Sequence, residues 1–175
     1  MKNVFMAFAK FNEESNKIVA GILSKMSNDD REKNRKSYFG SLSELFRHNT
    51  GATVYFLSLY APAVSGNEDA QKALKPLTKA EAIKGKLTEE QWKNTIKFSK
   101  IVDKALVDFV AALKDKDFEA SVKVDWFKGK PPSAPLWFML EQQVTHNTHH
   151  RGQISQILDG LKIDNNFSGI NVKFI

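Results

Sequence analysis

Residues 144–154 read VTHNTHHRGQI and hold His146, His149 and His150, three of the four histidines in a 175-residue chain. Residues four apart on a helix differ by only about 40° in direction, so His146 and His150 stand one above the other. Leu136, Met139 and Gln143 precede them on the same side, and Ile154, Ile157 and Leu161 follow. Glu141, Thr148, Ser155 and Asp159 fall on the opposite side. This is the period of an amphipathic helix, and it places the pair on the core-facing stripe. His149 lies on the flank of that stripe, near Gln142 and Gln153.

The surrounding sequence predicts three more long helices. Pro131, Pro132 and Pro135 keep the histidine helix from starting before Leu136, and Gly160 stands near its end. Upstream, Val122, Val124 and Trp126 alternate with Lys123, Asp125 and Phe127, the pattern of a short strand or hairpin turning near Lys128 and Gly129. Before that, Thr88 and Gln91 have the spacing of a capping box, opening a helix that runs to about Lys114. A further helix spans residues 37–60 and ends before Pro62. The connection over residues 62–86 contains one short helical pattern, LTKAEAIKG, at residues 77–85. The first helix is marked by Phe5, Phe8, Asn12, Ser15, Ile18, Val19, Ile22, Leu23 and Met26. REKNRK, at residues 31–36, reads as a solvated loop, and NNFSGINVKFI as a tail packed across the helices. The expectation is all-α: one domain over residues 1–175, a four-helix bundle with a short β element before the last long helix.

Composition narrows the chemistry. Hydrophobic residues make up 42% and charged residues 26%, the balance of a soluble globular chain. There is no cysteine, so the chain has no disulfide and no thiol nucleophile of its own, and a transition metal would depend on histidine, carboxylate or water. The net charge of +6 is spread through mixed charges, which does not mark a nucleic-acid partner. No apolar run reaches bilayer length, and the N-terminus reads as an amphipathic helix rather than a signal peptide. A cytoplasmic protein is expected.

The fourth histidine, His48, sits in SELFRHNTGATVYFL, with Ser41, Leu45, Ala52, Tyr55 and Leu59 on its helical face. It too points toward the bundle interior. Two readings stand: separate core histidines, each hydrogen-bonded to a neighbour, or three inward imidazoles forming a metal site. Around them, Gln143 and Tyr55 share faces with the candidate ligands His48, His146 and His150. Glu44, one turn before His48, is placed either to orient an imidazole or to pair with a cation such as Arg47. Arg151 points away from the stripe, which suits a structural ion pair or an interface better than a substrate contact. Gly152 suits close helix packing. Trp126 and Trp137 are candidates for a pocket mouth or for the core.

HNTHHRGQ resembles the HxxHHRGQ signature of the DinB/YfiT-like four-helix-bundle proteins. The mid-helix histidine at position 48, the β element and the glycine near the end of the last helix extend the resemblance over nearly the whole chain. It implies a divalent metal, zinc or nickel, held by His48, His146 and His150, and a homodimer. His149 matches a position that is often histidine in that family but is not one of its usual ligands. Members include transferases of bacillithiol and other small thiols, a mycothiol-dependent isomerase, and proteins with no established activity. The function expected here is a metal-dependent transferase using a low-molecular-weight thiol. The alternatives are a metal-dependent hydrolase, or a metal-binding sensor or structural protein. No catalytic side chain is assigned.

Overall fold

The computed structural model describes residues 1–77, 85–124, 126 and 132–175. The four long helices are α1 (Lys2–Ser24), α3 (Leu42–Ala63), α5 (Glu89–Ala112) and α6 (Leu136–Gly160), with short α2 (Asn28–Arg31) and α4 (Glu68–Leu74) in the connections. Strands β1 (Ser121–Lys123) and β2 (Ser133–Pro135) pair antiparallel with Val122 opposite Ala134, and the chain leaves β2 directly into α6. α1 packs on α5, and α3 packs on α6. The predicted hairpin turn at Lys128 and Gly129 and the helical pattern at residues 77–85 fall largely outside the described residues.

Local chemistry sets the helix limits. Thr88 and Gln91 form the expected capping box at the start of α5. α3 begins later than its period suggested. Gly40 N donates to Ser37 O at 3.0 Å, closing a turn, and Ser41 then caps the helix in a box with Glu44. Such caps typically contribute about 1 kcal/mol. Gly40 has φ +74°, and a Cβ there would lie 2.5 Å from Glu44 Oε2, so glycine is needed both for the turn and for the cap. At its other end α3 runs past Pro62. The carbonyl that Pro62 cannot satisfy belongs to Ser58, on the exposed side where water can reach it.

Two other sequence expectations are corrected. REKNRK is not simply a solvated loop: Arg31 and Glu32 are buried. Arg31 donates to Glu89 Oε1 at 2.8 Å and to Asn28 Oδ1 at 2.8 Å, and its guanidinium lies 4.7 Å from the centre of the Trp92 ring. Glu32 Oε2 accepts from Leu87 N at 2.9 Å. Charge density along the sequence could not show Glu89 and Leu87 as partners, which are 58 and 55 residues away. Gly152, in turn, is exposed, and a methyl group placed on its Cα would meet nothing within 4 Å, so it does not serve close helix packing.

The apolar core is in two parts. One surrounds Leu57, Phe109, Phe118, Leu136 and Met139; the other surrounds Leu23, Leu42, Leu45, Trp92 and Ile154. Between them lies a belt of buried polar side chains drawn from all four long helices: Asn12 and Asn16, Asn49 and Thr53, Ser99 and Asp103, Asn147 and Arg151. Asn12 and Asn16 both donate to Asp103 Oδ1, at 3.0 and 2.8 Å, and Ser99 donates to Oδ2 at 3.3 Å. Arg151 donates to Asn12 Oδ1 at 2.6 Å, and Asn147 Nδ2 donates to the same oxygen at 3.0 Å and to Thr53 Oγ1 at 3.2 Å. The tail closes one side of the belt, with Phe167 O accepting from Ser15 and Phe174 packed edge-on against Phe11.

Burial pushes the Asp103 carboxyl from 3.8 up to about 7, against the downward pull of the Asn16 and Ser99 donors and the Arg151 charge. Between those two values the folded protein holds a proton that the unfolded chain releases. This group's contribution to stability therefore falls as pH rises through that window. Asp103→Asn keeps the Oδ1 acceptor and cannot ionise. The stability of the native protein relative to Asp103→Asn should decline from about pH 4 to about pH 7 in urea titrations. A difference that is flat with pH would show that Asp103 does not carry this dependence.

Candidate metal centre

α3 and α6 run antiparallel, as shown by the pairing of Tyr60 Oη with Met139 O, Asn147 with Thr53, and His48 with His150. This places His48, two turns into α3, against the middle of α6. The three Nε2 atoms form a nearly equilateral triangle: His48 to His146 is 3.3 Å, His48 to His150 is 3.1 Å, and His150 to His146 is 3.2 Å. Ligand nitrogens about 2.05 Å from a tetrahedral zinc stand about 3.3 Å apart, so the spacing fits a shared cation. Among the described residues this histidine trio is the group of potential ligands close enough to hold a metal ion.

The donor set is chemically prepared for that role. Burial is the first cause that lowers the pKa of each imidazole, followed by neighbouring histidine charge for His48 and His146. His48 is brought down to about 4. In His150, the Gln153 bond partly offsets the effect of burial. Neutral imidazoles are the form that binds metal. His150 Nδ1 lies 2.8 Å from Gln153 Oε1, an acceptor, which puts the ring proton on Nδ1 and leaves the Nε2 lone pair facing the other two histidines. Gln153 Nε2 lies 3.2 Å from His149 Nε2, so His149 touches the centre through Gln153 and does not join the triangle.

The other sequence candidates are distributed differently. Glu44 Oε2 accepts from Ser41 N at 2.9 Å, so its carboxylate closes the α3 cap. Gln143 turns toward α1 and α5, lining a small cleft with Phe5, Phe8, Asn12 and Asn147. Tyr55 is exposed, its ring 5.7 Å from that of Trp126. Trp126 also meets Phe56 at 6.2 Å, and Phe56 meets the His146 ring edge-on at 5.8 Å. Trp137 packs edge-on against Phe138 at 5.9 Å. Arg151 is buried in the polar belt with its guanidinium 5.2 Å from the centre of the Phe11 ring, a structural position.

Sequence reasoning gave two residues no role at the centre, placing Gln153's hydrogen bond at a helix contact instead. Gln153 stands beside the histidine stripe in sequence, and its i, i+3 spacing from His150 was a usable signal for an orienting hydrogen bond. Phe39 stacks on His48, with centroids 4.0 Å apart and planes at 28°, and meets His150 edge-on at 5.2 Å. It comes from the turn before α3, and nothing in a helical period could place it there.

The Gln153 contact generates a graded expectation for metal affinity. Gln153→Ala should weaken metal binding by about 10–100-fold, while Gln153→Glu, which keeps the acceptor, should stay near the native value. His149→Ala should fall between them. Competition against a chromophoric chelator measures all three, and a native affinity in Gln153→Ala would sink the orienting role. Because burial depresses the imidazole pKa values, bound metal should withstand acidification better than a site of unperturbed imidazoles, and be lost as acid finally protonates the ligands.

The sequence profile of the DinB family matches residues 1–161. Neither the curated proteins nor the solved structures give a match. Members of this family are metal-associated, and the converging histidines of α3 and α6 form a group that could hold a metal ion. On the strength of a match that spans all four long helices, the chain belongs to the DinB family.

Proposed function

We propose that the protein is a metal-dependent transferase that joins a low-molecular-weight thiol to an electrophilic small molecule. The observation that carries this reading is a ligand group of three nitrogens with no fourth histidine or carboxylate among the described residues. Structural zinc sites usually saturate the metal with four protein ligands, whereas catalytic ones use three and leave a position open. An all-imidazole set suits zinc or nickel.

A divalent ion held by His48, His146 and His150 would supply a Lewis acid that makes a thiol more acidic near neutral pH. The chain's own residues contribute position and environment. Gln153 fixes the ring of His150, and Phe39 covers one side of the imidazoles. The chain contains no cysteine, so the sulfur nucleophile must come with a cosubstrate. Sulfur forms the new bond to the electrophilic carbon, the leaving group departs with the old bonding pair, and the thiol proton passes to solvent. Family membership supports the reading without selecting the thiol. No helix among the described residues is long and apolar enough to cross a membrane. A cytoplasmic homodimer acting on small molecules, without a nucleic-acid partner, completes the proposal.

The test uses untagged protein, assayed for metal and then offered a panel of thiols and electrophiles. Turnover should require metal and thiol together, stop on chelation, and return with zinc or nickel. His48→Ala should reduce it to background. Metal-dependent hydrolysis without thiol would establish the hydrolase alternative. No turnover, together with a metal that exchanges no ligand, would replace both with a sensor or structural role.

A further inference from the structure

We infer that the substrate served by the three-histidine centre carries a planar apolar body, in the simplest case an aryl group, seated beside His146 against Phe56, Tyr55 and Trp126. The inference rests on the open metal site proposed above and specifies what that site accepts.

The argument begins on α3. Tyr55 follows His48 by seven residues, which returns it to nearly the same side of the helix, about 10 Å further along the axis. Ala52, partly buried against the core, lies between them on that side and offers only a methyl group. Phe56, buried at 5% exposure, meets the His146 ring edge-on with planes at 72°. Trp126 stands against both Phe56 and Tyr55, with ring planes at 78° and 45°. Three aromatic side chains therefore form a corner at one end of the histidine triangle, while Phe39 closes the other end.

Two members of this corner are open to solvent: Tyr55 is 47% exposed and Trp126 37%. Large aromatic surface left exposed beside a candidate open metal site is a surface a ligand can use. Phe39, Ala52, Tyr55, Phe56 and Trp126 carry no formal charge, and their side chains offer only a phenol hydroxyl and an indole N–H for hydrogen bonding. Against these described residues a polar heterocycle such as a nucleobase would leave most of its edge unpaired. A cationic group would find the same ring faces attractive, but it would have to approach a centre built for a divalent cation. A neutral aryl group meets neither penalty and gains from offset or edge-on ring contacts.

The experiment separates this inference from the transferase reading because it needs no turnover. Benzohydroxamate and acetohydroxamate present the same metal-binding group and differ in phenyl against methyl. Their affinities for the zinc-loaded full chain are measured by calorimetry, for the native protein and for Trp126→Ala, Trp126→Leu and Tyr55→Ala. Benzohydroxamate should bind about tenfold more tightly or better, and that preference should shrink toward parity in Trp126→Ala and Tyr55→Ala. Acetohydroxamate affinity should stay unchanged, which also shows that the variants keep the metal site intact. Trp126→Leu should recover only part of the preference, since it restores bulk without a ring. Equal affinity for the two compounds in the native protein, or a preference untouched by the variants, would overturn the aryl seat while leaving an open metal site standing. Failure of both compounds to bind fully zinc-loaded protein would overturn the open site itself, and the aryl seat with it.

Discussion

Arg151 donates to the Asn12 side-chain oxygen at 2.6 Å, and the nitrogen of the same amide donates to Asp103 at 3.0 Å. A buried cation and a buried carboxyl are thus joined through one neutral side chain, across three helices. Burial keeps a proton on Asp103 up to about pH 7, and removing one member of such a hydrogen-bonded bridge leaves a buried polar group unpaired, which typically costs about 1–3 kcal/mol. The bundle therefore has strong reason to keep α1, α5 and α6 in a single rotation and height. Asn147 ties Thr53 of α3 to the same amide. Two apolar cores above and below this belt drive compaction, but apolar packing alone tolerates sliding and rotation far better than a buried hydrogen-bond network does.

The belt and the metal centre are neighbouring rows of one helix. Asn147 and Arg151 follow His146 and His150 by one residue each, a rotation of about 100°. When the belt draws its row inward between α1 and α5, the histidine row must face α3. His149 and Gln153 form a third row on the outer side of the histidines and are bonded to each other. The first row holds the helices in register, the second supplies the candidate ligand nitrogens, and the third orients the ring of His150. The RGQ that follows the histidines acquires its meaning this way, since Arg151 anchors the helix from within and Gln153 steadies His150 from without.

Much of this organisation was legible in the sequence because it is local and periodic. The limits of α6 follow from the prolines before it and Gly160 at its end, and the capping box of α5, the β pairing before the last helix and the inward direction of His48, His146 and His150 follow from spacings of two, three and four residues. Asn12 and Ser15 could even be seen as polar insertions in an apolar stripe. What could not be read was which side chains they would meet. Arg31 looked like one member of a basic run, yet its burial depends on Glu89 and the Trp92 ring. Glu44 had the right spacing to support His48, but the nearer backbone N–H of Ser41 satisfies its carboxylate.

By itself, the sequence determined an all-α bundle, the absence of any thiol of its own, and three imidazoles on inward helical faces. Those properties depend on composition and on the 3.6-residue period, both of which are present before the chain folds. Tertiary structure alone decided that Nε2 atoms separated by 98 and 102 residues would meet at 3.1–3.3 Å, that Phe39 would cover His48, and that Trp126 would join Phe56 and Tyr55 beside His146. The physical reason is that a helical period fixes the direction of a side chain relative to its own axis. It says nothing of the height and rotation at which two helices dock, and here those are set by the buried polar contacts between them.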